Sequence, residues 1–158
     1  MHMVRSGSID GYERAVLQLG GNPQPIMQRA GISSAQLRQP DALLSYEKMA
    51  DLLDLTAITC QQTAFALFLA ARQNPLVVIG ELAVSSGQQP TLQESMRFTN
   101  KHLHLHATGV HLELLTQGQY TECQLQFDFS NAYGLTQLIQ LSVAQLFNAV
   151  SAMEAGGS

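Results

Sequence analysis

At Gly109 the spacing of apolar residues changes from that of a helix to that of a strand. Before it, Thr91-Leu92-Gln93-Glu94 reads as a capping box, and Leu92, Ser95, Met96, Thr99, His102, Leu103 and His106 then fall on one helical stripe. Gln93, Glu94, Arg97, Asn100, Lys101 and His104 fall opposite. After it, Val110, Leu112 and Leu114 alternate with His111 and Glu113, and Thr116-Gln117-Gly118-Gln119 supplies a turn. Thr121, Cys123, Leu125, Phe127 and Phe129 share one face of the return strand. A lone two-stranded hairpin is marginal in water, so its apolar face must lie on helices.

The rest of the chain supplies those helices. Ile9 to Leu19 has helical spacing closed by Gly20-Gly21, and Asn22-Pro23 opens a short helix that Gly31 terminates. Ser33 and Ser34 start another turn, and Ser45 caps a helix from Tyr46 to about Cys60. Thr63 to Arg72 and Leu76 to Ser85 are apolar nearly all round and predict interior segments. Ser130 or Asn131 caps a last helix from about Leu135 to Met153, with Leu138, Ile139, Leu141, Val143, Leu146, Phe147 and Val150 covering most of its circumference. So wide a stripe needs two partners. The hairpin is one; an earlier helix, a second subunit or a further segment is the other. The pattern predicts an α+β fold, mainly helical, in which a helix bundle and a long C-terminal helix pack on a small antiparallel hairpin.

A chain of 158 residues is one domain. Residues 9–153 form it, with residues 1–8 read as a disordered, cloning-derived extension and 154–158 as a flexible tail. Apolar residues make up 46% and charged residues 13%, with eighteen Gln supplying much of the polarity, so part of the surface is expected to be covered. Eight Lys and Arg against a net charge of −4 exclude this chain from gripping a phosphate backbone by itself. The longest apolar run, Ala64 to Ala71, is too short to span a membrane, and no secretory signal is visible, so a cytoplasmic location is expected. Cys60 and Cys123 read as free, buried thiols.

Little in the sequence supports catalysis, and no cofactor is called for. Gly-x-Ser-x-Gly, His-Glu-x-x-His, Walker and Rossmann patterns are all absent. His102, His104, His106 and His111 are the one group that suggests a metal. His102 and His106 lie one turn apart, but His104 points away and no Cys or carboxylate joins them, so no metal ligand is assigned. More informative is the polar edge on an apolar stripe. Ser95, Thr99, His102 and His106, with Met96, face the Cys123 and Phe127 side of the hairpin, the composition of a small-molecule pocket. Water, backbone carbonyls or mutual contacts could equally satisfy those groups. Leu138, Leu146 and Val150 are the candidate dimer contacts on the last helix.

Leu19-Gly20, Ile26-Met27-Gln28-Arg29-Ala30-Gly31 and Leu43-Leu44-Ser45-Tyr46, in this order, resemble the arabinose-binding-type N-terminal domain of AraC-family transcription regulators. Ile79 to Ser86 followed by Pro90 to Met96 is similar to the same family's stretch in which a helix ends in small residues and a Thr-Leu pair starts the next. The resemblance covers about residues 9–153. It implies an effector-sensing, homodimeric domain that takes a small molecule and reaches DNA only through a C-terminal helix-turn-helix part missing from this chain, with no membrane partner. It also implies further strands after the last helix, so the chain reads as a fragment or as a shortened stand-alone relative. The alternative from the residues alone is a ligand-free homodimerisation or protein-interaction module.

Overall fold

The computed structural model describes residues 1–156, and side-chain burial through Glu154. The chain opens with β1 (Met3–Arg5), a 3-10 turn (Ser6–Ile9), α1 (Tyr12–Gln18), α2 (Pro23–Ala30), α3 (Ser34–Leu37), β2 (Leu43–Ser45) and α4 (Tyr46–Thr59). It continues with α5 (Phe65–Ala70), α6 (Pro75–Ile79), α7 (Glu81–Gly87) and α8 (Leu92–Lys101), then a second 3-10 turn (Leu103–Leu105), β3 (Val110–Gln117), β4 (Tyr120–Phe127) and α9 (Thr136–Gly156). The mainly helical α+β class follows from this order.

Local chemistry accounts for the boundaries. Asn22 accepts the Gln24 amide ahead of Pro23, and Gly31 closes α2 in the left-handed conformation. Ser45 accepts the Lys48 amide at the start of α4, and Thr91 accepts the Glu94 amide at the start of α8. In the hairpin Val110 pairs with Phe127, Leu112 with Leu125 and Leu114 with Cys123, so the apolar residues share a face as their alternation predicts.

The N-terminal segment departs from expectation. Residues 1–8 are not a disordered extension: β1 pairs antiparallel with β2, Val4 against Leu44, and also bridges to Ala107. Val4 is fully buried, and Ser6, Ser8 and the Arg5 side chain are buried as well. The Arg5 guanidinium donates to Asp41 at 2.8 and 3.1 Å and to the Val78 carbonyl at 2.8 Å, fastening β1 to the end of α6. A side chain at Gly7 would meet the Val77 carbonyl oxygen at 2.3 Å, so the backbones there touch with no room for a Cβ. Three residues are too few to carry a period, and their burial depends on partners distant in sequence. At the other end α9 takes in residues 154–156 of the expected tail, while residues 157 and 158 lie outside the described residues.

The core gathers around α4, with Leu52, Leu53, Phe65, Leu69, Leu138 and Leu141 buried together. A polar knot fixes α9 to it. Asp54 of α4 is buried and accepts the Gln137 amide of the first turn of α9 at 3.1 Å and the Asn131 side-chain amide at 2.8 Å. Gln137 in turn accepts the Ala66 amide at 2.9 Å and donates to Thr63 at 2.8 Å, so its side chain caps α5. Asp54→Ala is expected to lower stability by about 1–3 kcal/mol, because it strands the Gln137 amide at the start of α9 and leaves the Asn131 carboxamide with Asp51 alone. Urea unfolding measures this; a loss under about 0.5 kcal/mol, the range of ordinary surface changes, would contradict the knot's role.

Candidate functional site

An apolar cavity of about 100 Å³ lies where α6, α7, α8, the hairpin and α9 meet over the start of α4. Its wall is mostly aliphatic: Val78 and Leu82 from α6 and α7, Met96 from α8, Leu112 and Leu125 from the hairpin, Leu146 and Val150 from α9. Tyr46 and Met49 of α4 form its base.

Of the residues expected to hold a ligand, the structure brings Met96, Thr99 and His106 to this cavity and leaves the other four outside its lining. Ser95 is buried, but its hydroxyl donates to the Ser86 carbonyl at 2.7 Å and joins α8 to α7. His102 departs because α8 stops at Lys101; the chain tightens into the 3-10 turn, and the His102 ring lies on Phe98 with centroids 4.4 Å apart. Cys123 lines a separate groove between the hairpin and α9, and burial pushes its thiol pKa up. Phe127 joins Tyr46 and Phe129 in an aromatic cluster beneath the hairpin. The His102 and His104 ring centroids lie 6.3 Å apart, and among the described residues no three His, Cys, Asp or Glu converge on a metal-sized site.

Several lining residues escaped the sequence reading. Ser8 comes from the stretch read as a disordered extension, and Tyr46, Val78, Leu82, Ser86, Ser142 and Gln145 come from segments read as helix or core, with no polar-edge pattern to single them out. The nearest signal was the apolar run from Leu76 to Ser85, too uniformly hydrophobic to declare a face.

The polar side chains of the wall are nearly all engaged. The Ser86 and Thr99 hydroxyls pair at 2.7 Å, and Ser8 donates to the Met49 sulfur at 3.0 Å. Gln145 donates to the Ser8 carbonyl at 2.7 Å and to Gln73 at 2.9 Å, and Ser142 faces the Tyr46 phenol. His106 differs. Its carbonyl accepts the Arg5 amide at 3.0 Å, which anchors the residue to β1, yet its ring Nδ1 is sealed from solvent with no partner.

Burial, reinforced by the Arg5 charge, pushes the His106 pKa from 6.5 down to about 4, so the ring is neutral at physiological pH. Unfolding restores the ordinary value, and between these pH limits the unfolded chain binds the extra proton. Stability is therefore unaffected by this group above pH ~6.5 and falls as pH drops from ~6.5 to ~4. By pH 5 the loss is expected to reach roughly 2 kcal/mol, and His106→Phe should remove that share of the slope. Denaturant titrations of both proteins at pH 5, 6 and 7 measure it; parallel slopes would contradict it.

The three candidate dimer contacts also separate. Leu138 is 1% exposed and belongs to the core, so it is unavailable to a partner; its stripe faces α4 and α5. Leu146 and Val150 are half-buried and line the cavity. The outward stripe of α9 is instead Ile139, Val143 and Phe147, with Phe147 70% exposed. The circumference was legible in the sequence, but which arc faced the core was not, because apolar residues leave no polar face to mark the outside.

Among the described residues no helix is long and apolar enough to cross a membrane. Comparison with known proteins places the chain in a family. A model described as the arabinose-binding domain of AraC transcription regulators, N-terminal, matches residues 20–154. The chain is 26% identical over 110 residues to the HTH-type transcriptional regulator VirS of Mycobacterium tuberculosis, in strains CDC 1551 / Oshkosh and ATCC 25618 / H37Rv. That alignment takes in 70% of this chain and 32% of the relative, so the chain matches about a third of the regulator's length. The family match spans the cavity-bearing elements from α2 through α9, and the chain belongs to the arabinose-binding N-terminal domain family of AraC transcription regulators.

Proposed function

We propose that this chain is the effector-sensing and dimerisation part of an AraC-like transcription regulator, acting in the cytoplasm. The observation that carries the reading is a partly open apolar cavity whose lining includes His106, a residue with a buried, unpartnered ring nitrogen. Its position suits transmission. α9 lines the cavity with Leu146, Val150 and Met153 and turns Ile139, Val143 and Phe147 outward, so a ligand that displaces the helix changes what its outer stripe presents. A ligand favouring one placement of α9 shifts the population toward it, and DNA contact falls to a helix-turn-helix part of the kind named in the relative.

A thermal-shift screen of sugars, small carboxylates, alcohols, phenols and lipids tests the reading. An effector at a hundred times its dissociation constant stabilises by about 2.7 kcal/mol, which raises the Tm by about 5–10 °C in a domain of this size. A Tm unmoved by every class would count against it.

The exposed stripe on α9 also favours a second reading, an interaction module without a ligand. Light scattering of Phe147→Glu beside the wild type probes the stripe. A halved mass in a folded variant is expected if the stripe joins two copies; an unchanged dimer mass, or a monomeric wild type, removes it as the interface.

A further inference from the structure

We infer that the molecule held in this cavity is a neutral, largely apolar compound with one hydroxyl group, a small alcohol or phenol, rather than a sugar or a carboxylate. The inference rests on the effector-sensing reading and deepens it. Three observations converge, and the first is the state of the polar wall. Ser86 and Thr99 pair with each other, Ser8 with the Met49 sulfur, and Gln145 with Ser8 and Gln73, so these groups already have protein partners. A pentose has hydroxyls on nearly every carbon. Within this wall most of them would lose water and gain nothing.

The second observation is charge. Among the described residues the lining contains no Lys, Arg, Asp or Glu. Arg5, whose charge depresses the His106 pKa, is outside the lining and already donates to Asp41 and the Val78 carbonyl. A carboxylate would be buried without a counter-ion.

The third is His106, a lining residue with a ring nitrogen that no protein group answers. His106 Nδ1 is buried and unpartnered, and Gln140 Oε1, the other such atom among the described residues, is not part of this wall. A neutral imidazole nitrogen is a donor in one tautomer and an acceptor in the other, and a hydroxyl answers both. The cavity's size sets the scale. About 100 Å³ is somewhat smaller than the ~150 Å³ apolar cavity known to admit benzene, so one ring or a short chain fills it with slight widening.

Four ring-sized probes separate the alternatives: benzene, phenol, benzoate and arabinose, titrated against the whole chain by calorimetry and thermal shift. The expected order is phenol first, benzene at least tenfold weaker, and benzoate and arabinose without detectable binding. His106→Phe is expected to weaken phenol at least tenfold while changing benzene less than threefold, and His106→Asn to recover part of the phenol affinity. The wild-type ranking alone decides the class, so a variant that fails to fold leaves the test intact. Benzoate or arabinose binding as tightly as phenol overturns the inference and leaves the cavity a sensor. Binding by none of the four removes both the inference and the sensing reading at this cavity.

Discussion

Deletion of residues 1–8 is expected to abolish cooperative unfolding. Val4 is fully buried between Leu44 and Ala107, and burial of such a side chain contributes roughly 1.5–3 kcal/mol. Its removal also uncovers part of Leu44 and Tyr46, and it frees backbone groups now paired to β1. The His106 carbonyl loses the Arg5 amide, the Thr108 amide loses the Met3 carbonyl, and the Tyr46 amide loses the His2 carbonyl. The Val78 carbonyl loses the Arg5 guanidinium as well. Together these losses approach the ~5 kcal/mol at the lower end of domain stability. Far-UV circular dichroism followed through a thermal ramp measures it: a broad, non-cooperative change is expected. A sharp transition within a few degrees of the full chain would mean that β1 decorates the fold rather than completing it.

The second large effect concerns binding. Ala83 lines the cavity from α7, and Ala83→Phe adds a ring where about 100 Å³ is open. Overpacking of this kind costs about 1–3 kcal/mol, which a domain with ordinary reserves survives. The Tm is expected to fall by a few degrees while any effector found for the wild type loses at least a hundredfold in affinity. Isothermal titration of both proteins with that effector measures it. A folded Ala83→Phe protein that binds within threefold of wild type would place the effector elsewhere, the groove beside Cys123 and Phe147 being the next site to probe.

The deletion and the substitution bear on different parts of what the residues disclosed in advance. Where a segment was long enough to display a period, or carried a cap, its structure was legible: Asn22-Pro23 opens α2, Ser45 opens α4, Thr91 opens α8, and the alternation after Gly109 sets the hairpin register. Burial arising from long-range pairing was not legible, and β1 is the clearest case. The site was half legible for the same reason. Met96, Thr99 and His106 share a face, whereas Tyr46, Leu82 and Ser142 reach the cavity from elements whose placement no local pattern records. His102 was lost to a local event. The helical stripe assumes α8 continues past Lys101, but His102 is the cap where α8 ends, and its ring packs on Phe98 instead of entering the cavity. Leu138 was misassigned because a helix apolar around most of its circumference does not declare its inner arc.

The proposed ligand class differs from the sugar in the family's description. Sugar recognition needs several free donors and acceptors, and the Ser8, Ser86, Thr99 and Gln145 side chains of this wall are hydrogen-bonded within the protein.

The most direct measurement uses the methionines. Met49, Met96 and Met153 line the cavity, whereas Met27 is buried elsewhere in the core. With ¹³C-methyl-labelled methionine and benzene added as an apolar probe, the methyl resonances of Met49, Met96 and Met153 should shift saturably while Met27 stays in place. Benzene that leaves all four unmoved, or moves Met27 alone, would contradict the account.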